Sequence, residues 1–437
     1  MTMLTHPVPD TQQNKRPIVQ QLMLWGLFLC VEATFLELLP TIVIGPLLAV
    51  LLLCTYFVLG KTVLATVFIV VANDALGTIL GGSLSFHYLL LVFIFFEVFT
   101  RQKVSVRSMA FTVLASLLCG QLFVFGDISW RQASFAVVFV VALMVQYSKY
   151  RDRQAEFFDE LCTSLAVIVA LISVHALITG GVEYYEQDNY SEEFLRLGIL
   201  GAGNGDSNFS GLSLCTGIVG VLNSTSLRRI QKIVLFILIL AAMSITLSIT
   251  TILMLLAVLL LHFTSGKKLP KALVIVLCIL VAIVLLYNIY VALPANLRHE
   301  AVDAYIDRVS DKAEELLNAD LDVATSGRTS ILRRYGRYIF GEQPPLKMLF
   351  GGNSIMITGG VPHNTYIDWI LQGGVVGCLL LLVLIGKRFA NTYQLLPDVP
   401  HKRLLMTMKV LYIAFALTLS IYDGAAFSLF FFFVFFL

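Results

Sequence analysis

The run "QKIVLFILILAAMSITLSITTILMLLAVLLLHF", residues 231–263, is broken between Lys232 and His262 only by the hydroxyl-rich patch Ser244–Thr251. One helix crosses a bilayer with about 20 apolar residues, so this run is too long for one span and short for two. Reading Ser244–Thr251 as a turn divides it into helices at 231–247 and 249–263. Carried outward, the same reading places spans at 19–39, 40–60, 62–82, 84–99, 106–126, 130–148, 160–180, 207–223, 271–292, 364–386, 405–421 and 424–437. The expected fold class is all-α: a polytopic membrane protein with about 12–14 transmembrane helices and two long external loops.

Composition agrees. The 437 residues are 58% hydrophobic and 13% charged, with a mean hydropathy of +0.85, whereas soluble chains carry about 25% charged residues. The apolar runs are continuous, which excludes the alternating strands of a β-barrel. A formal charge of +2 offers nothing to a nucleic acid. All seven cysteines fall in apolar runs, so neither a disulfide framework nor a metal-ligand spacing is expected.

Placing the N-terminus inside sorts the basic residues. Lys15, Arg16, Lys61, Arg101, Lys103, Arg107, Lys149, Arg151, Arg153, Arg228, Arg229, Lys232, Lys267, Lys268, Lys271, Lys387, Arg388, Lys402, Arg403 and Lys409 then share one side in short loops, 20 of the 30 Lys and Arg. That bias sets orientation. The expected organisation is a cytoplasmic tail (1–18, read as a tail and not a cleaved signal), transmembrane helices (19–180), an external loop (181–206), transmembrane helices (207–292), a large external loop with amphipathic helices (293–362) and transmembrane helices (363–437). In the large loop, "NLRHEAVDAYIDRVSDKAEELL" has helical periodicity, and a second helix starts near "TSGRTSILRRYGRYIF" and ends at Pro344-Pro345. No internal repeat and no transporter-like pair of broken helices is apparent.

Four places carry chemistry. Thr325 and Ser326 cap a helix whose first turn holds Arg328; Arg328, Leu332 and Tyr335 fall on one face, with Arg333, Arg334 and Arg337 opposite. Either Arg328 helps the helix N-terminus hold an anion while the other three meet lipid phosphates or stay in solvent, or all four arginines are simply solvated. Arg196, the one basic residue of 181–206, is either a phosphate ligand or a partner of Glu192 or Glu193. His363 is either a catalytic base or an interfacial residue at a helix start; Asn364 and Asp368 after it share a face that can orient substrate or water. Glu32, Glu37, Asp74 and His175 lie in the outer halves of their spans, as an outward cavity or a transport vestibule would require.

The pattern H-[NSQ]-x9-G-x-x-G, matched by His363, Asn364, Gly374 and Gly377, resembles that of the bacterial O-antigen ligase and O-antigen polymerase superfamily of integral membrane glycosyltransferases. Arg328 to Leu332 matches that family's R-x3-L, and Arg196 in "RLGILGAGNGDSN" matches its upstream arginine. The likeness covers residues 190–386; "SITLSITTILM" lacks an arginine that relatives often carry there. The resemblance implies a metal-independent enzyme without cofactors in the bacterial cytoplasmic membrane. Its donor would be a glycan on undecaprenyl diphosphate at the outer face. Its acceptor would be another lipid-linked repeat unit for a polymerase of capsule, exopolysaccharide or O-antigen, or lipid A-core for a ligase. Flippase and chain-length regulator proteins are the implied protein partners. Arg328 and Arg196 would bind diphosphate, His363 and Arg328 would be catalytic, and Arg333, Arg334, Arg337, Asn364 and Asp368 would contact the acceptor or a second lipid. A precursor flippase or transporter is the reading from another class.

The charge asymmetry predicts that Asp188→Cys and Asp320→Cys react with an impermeant thiol reagent on intact cells. Labelling only after membrane disruption would reverse the orientation.

Overall fold

The computed structural model describes residues 26, 29–30, 40–79, 86–101, 130–179, 182–185, 195–198, 207–246, 248–264, 310, 314, 328–353, 363–395, 399–419, 421 and 424–437. The spans expected at 106–126 and 271–292, most of 19–39 and most of the helix expected at 296–317 lie outside these residues, as do Glu32 and Glu37.

The described chain is helical except for one short ribbon. Helices α1 (Thr41–Leu53, continued by a π turn Cys54–Val58), α2 (Thr62–Ile79), α3 (His87–Arg101), α4 (Trp130–Lys149) and α5 (Gln154–Thr179) lead to strands β1 (Val182–Tyr185) and β2 (Leu195–Gly198). Then come α6 (Ser207–Asn223), α7 (Arg229–Thr246), α8 (Ile249–Thr264), α9 (Arg328–Arg337, with a π turn Tyr338–Glu342) and α10 (Pro345–Phe350). The last are α11 (Thr365–Leu395), α12 (Val399–Phe415) and α13 (Gly424–Phe430, with a π turn Phe431–Phe436). The fold is helical, as expected, with one short antiparallel ribbon added: "VEYY" and "LRLG" pair with Tyr184 opposite Arg196, and aromatic and β-branched residues favour that pleat.

The run 231–263 divides as expected. Ser248 caps α8, its Oγ accepting from the Thr251 N–H at 3.2 Å, and its hydroxyl donates to Asn208 Oδ1 at 3.0 Å, tying this turn to the start of α6. Among the described residues two helices are long and apolar enough to cross a membrane by length and composition, Gln154–Ile178 and Thr365–Asn391, and five shorter apolar helices accompany them.

Helix α5 is central, packed on α2, α6 and α7. A Cβ on Gly220 would lie 2.6 Å from the Cys162 carbonyl oxygen, so α6 meets α5 at a spacing only glycine allows. At the far end of this pair, Asp159 accepts from the backbone N–H groups of Thr225 and Ser226 and from the Ser226 hydroxyl, closing the α6–α7 connection. The helices thus alternate between two ends. One end carries the ribbon and the α7–α8 turn. The other carries Arg228, Arg229 and Lys232, with Lys232 and Arg403 near His262.

Near the basic end lies a buried network that joins four helical segments. Lys149 Nζ is 2.9 Å from Glu97 Oε1 and donates to Thr62 Oγ1 at 3.0 Å; Tyr56 Oη donates to the same Glu97 oxygen at 2.8 Å, and Gln146 Nε2 donates to Tyr56 Oη at 3.1 Å. Lys149 therefore belongs to a helix end and a pair, not to an open loop. Lys409 is a plainer correction: it sits inside α12, fully buried, and donates to the Arg388 carbonyl at 3.1 Å.

Helix α11 is broken. Gly374 has φ 67° and ψ 179°, a conformation essentially restricted to glycine, and a Cβ there would stand 2.1 Å from the Leu349 carbonyl oxygen. Nothing lies within 4 Å of a Cβ on Gly377. Gly374→Ala should therefore lower stability by about 1–3 kcal/mol from backbone strain alone, and more from the clash, whereas Gly377→Ala should unfold as the parent does. Denaturation of the two purified variants in one detergent checks this; equal losses would contradict it.

Candidate functional site at the broken helix

Breaking α11 exposes carbonyls that must find donors. The turn after α10 supplies them. Gly352 N–H donates to the Gln372 carbonyl at 2.8 Å and Asn353 N–H to the Leu371 carbonyl at 3.1 Å. Gly351 and Gly352 take φ of 75° and 90° to make this turn. Asn353 Nδ2 also donates to Gln343 Oε1 at 3.1 Å, so the turn is held to the end of the preceding π turn. Pro344-Pro345 starts α10, as its fixed φ favours at a first helical position.

This docking brings α9 onto the first segment of α11. Tyr335, Ile339 and Leu371 are buried together, with Ile331, Tyr338, Met348, Ile367 and Ile370 against them. The docked face is Ile331–Tyr335–Ile339, at four-residue spacing. Leu332, expected beside Tyr335, is 42% exposed, because it lies three residues before Tyr335 on the other flank of this stripe. Arg328 opens α9 in register with Tyr335, two turns ahead of it.

At the start of α11 the N–H groups of residues 365–368 all find acceptors. Asn364 Oδ1 accepts from the Tyr366 and Ile367 N–H groups at 3.0 and 3.2 Å, an N-cap, and its Nδ2 donates to the Leu417 carbonyl at 3.0 Å. Thr365 N–H and Oγ1 both donate to the Leu419 carbonyl, at 3.0 and 2.7 Å, and Oγ1 accepts from Ile421 N–H at 2.9 Å. The start of α11 is thereby locked to the segment leaving α12. His363, immediately before this lock, has φ 49°, in the left-handed region that side chains other than glycine rarely occupy. Such strain collects at functional positions. Its side chain is half-buried.

Below His363, Asn364, Asp368 and Gln372 form a buried stripe at four-residue spacing along the first segment. Asn364 shares this face with Asp368, as its spacing suggested, and its side chain also forms the cap. Gln372, which the sequence reading did not single out, is 3% exposed and its Nε2 has no hydrogen-bond partner among the described residues. Its signal was the four-residue interval from Asp368.

The remaining candidates are dispersed. Arg196 lies in β2 opposite Tyr184, and the ribbon rests on α6 and α7, whereas α9 rests on α11. Arg333, Arg334 and Arg337 are exposed. His175 is buried within α5. Asp74 lies in α2. Thus the α10 turn meets the break at Gly374, and α9 packs through Tyr335 and Ile339 on Leu371, in the segment that begins just after His363.

Compared with known proteins, the chain matches no family model, no curated protein and no solved structure.

The cap makes a separable prediction. Asn364→Ala should cost about 0.5–2 kcal/mol, while Asn364→Ser keeps a capping oxygen and should recover most of that loss. Thermal melts of both variants test it; identical losses would mean that the Leu417 bond, not the cap, is what matters.

Proposed function

We propose that this chain is a multi-pass glycosyltransferase of the bacterial cytoplasmic membrane. At the outer face it polymerises undecaprenyl-diphosphate-linked repeat units into a surface polysaccharide. The observation that carries this reading is the packing of the Arg328 helix on the α11 segment that runs from His363-Asn364 to the break at Gly374. The first glycine makes the break, the break receives the α10 turn, and α10 follows the helix that Arg328 opens.

The membrane setting rests on where apolar surface points. In the most apolar part of Thr365–Asn391 only 33% of the residues are buried, and Leu379, Leu380, Leu382 and Val383 face outward. Ile42 and Val58 of the first helical segment and Ile230 and Ile237 of α7 do the same. Surface of this extent is stable in lipid and not in water. Orientation rests on the charges: the basic end is cytoplasmic, which puts the ribbon, Arg328 and His363 outside.

The chemistry is a displacement. An acceptor sugar hydroxyl attacks the anomeric carbon of the donor glycan. The bond from that carbon to the diphosphate oxygen breaks, and its electron pair leaves with undecaprenyl diphosphate. His363 accepts the hydroxyl proton. Arg328 opposes the charge that grows on the departing diphosphate, where a fixed cation helps the transition state most. Arg196 is the second cation on this side, carried by the ribbon. Asp368 holds the buried floor of the α11 segment beneath His363.

Arg328→Ala and His363→Ala should each reduce chain elongation about 100-fold or more at normal protein levels. Arg328→Lys should stay impaired because an ammonium lacks the bidentate fork. The decisive assay gives purified protein only an undecaprenyl-diphosphate repeat unit and looks for a ladder of longer lipid-linked products. No ladder, with transfer appearing once lipid A-core is added, would replace the polymerase by a ligase. Full activity of His363→Ala would remove it from the mechanism.

A further inference from the structure

The face of α9 opposite its docked stripe presents Arg333 and Arg337, and at the same angular position two turns on from Arg333 comes Phe340, 68% exposed. Helix α10 repeats the combination: Leu346 is 71% and Phe350 63% exposed, with Leu349 and Lys347 also outward. Large apolar side chains on a surface helix are costly in water, and here they are interleaved with cations. A segment with that composition suits one medium, the boundary where acyl chains meet phosphates.

Position settles which boundary. The end of α10 touches α11 at Gly374, and the residues that follow, Val376, Leu379 and Leu380, are themselves exposed. The outward apolar surface of α11 therefore continues into α10. We infer that the α9–α10 segment is a membrane anchor lying in the outer leaflet, with Phe340, Leu346 and Phe350 among the acyl chains and Arg333, Arg337 and Lys347 on phospholipid phosphates. The inference rests on the membrane reading above but on no step of the glycosyl transfer. Its consequence is that Arg328, in the first turn of the anchored helix, stands at the height of lipid phosphates, where a lipid-linked diphosphate must arrive.

The test places a tryptophan at Phe340 or, in a second protein, at Leu346, in the full chain reconstituted into nanodiscs of phosphatidylglycerol and phosphatidylcholine. The parent protein in the same nanodiscs gives the background of Trp25, Trp130 and Trp369. The added emission should be quenched by lipids brominated near the glycerol end of their acyl chains and shielded from aqueous iodide. Arg333→Gln, Arg337→Gln and Lys347→Gln combined should weaken the bromine quenching. Quenching of both added tryptophans by iodide and not by bromine would overturn the anchor. Shielding that appears only after undecaprenyl diphosphate is added would also overturn it, assigning the surface to substrate. Unchanged bromine quenching in the triple variant would remove the phosphate contacts from the anchor. None of these readings requires enzymatic activity, so the anchor can fail while the transferase stands. Failure of the membrane reading would show separately, as a chain that stays dispersed without lipid or detergent.

Discussion

An interrupted helix cannot leave its carbonyls unpaired in an apolar setting, and that requirement organises the whole candidate site. At Gly374 the two carbonyls before the break, of Leu371 and Gln372, are answered by two N–H groups from the turn after α10. Because the donors are backbone groups at close range, the turn must run Gly351-Gly352 and the break must be glycine. The contact dictates where α10 sits, and so places the Tyr335–Ile339–Leu371 cluster and with it the first turn of α9. A requirement of hydrogen bonding thus becomes the geometry that packs an arginine helix on the segment that begins just after a strained histidine.

The second organising feature is polarity along the bundle. The α5–α6 and α7–α8 pairs are closed at opposite ends by side chains that bond to the turn, Asp159 at one and Ser248 at the other. Cations gather at the first, and the ribbon and the α11 start at the second. On the proposed reading, a membrane enzyme with a lipid-linked substrate, this separation has a use. The charge-rich end fixes orientation, while the other end can be built of strained backbone, caps and buried amides.

Apolar run length made most of the helices legible: the division at Ser244–Thr251 and the start of α11 at His363-Asn364 both follow from local chemistry, a hydroxyl patch and a capping amide. The break at Gly374 was hidden because glycine is common in apolar spans; only the distant partner turn at 351–353 distinguishes it from Gly377, three residues on, which has open space around it. The Lys149–Glu97–Tyr56 network was hidden for a similar reason, since its members come from three separate helical segments. Lys149 was counted among loop cations because it precedes Arg151 and Arg153 in the chain, although its ammonium turns inward. The ribbon escaped because four-residue strands within a polar loop leave too short a pattern to separate from turn residues. Asn364 is legible as a helix start, and the structure adds the cap it forms there, on the Tyr366 and Ile367 N–H groups.

The buried Lys409 bears on how the chain is made. An ammonium in the interior of α12 costs about 2.5–3.5 kcal/mol when a lone helix enters a bilayer, yet in the finished protein it donates to the Arg388 carbonyl and lies over the Phe389 ring, 5.5 Å from its centre. Both partners belong to α11, synthesised just before it. On the membrane reading, α12 is a poor passenger alone and a good one when α11 is already beside it. The two should leave the translocation machinery as a hairpin, α11 waiting at its exit until the lysine arrives, and the order of biogenesis is then written into one side chain.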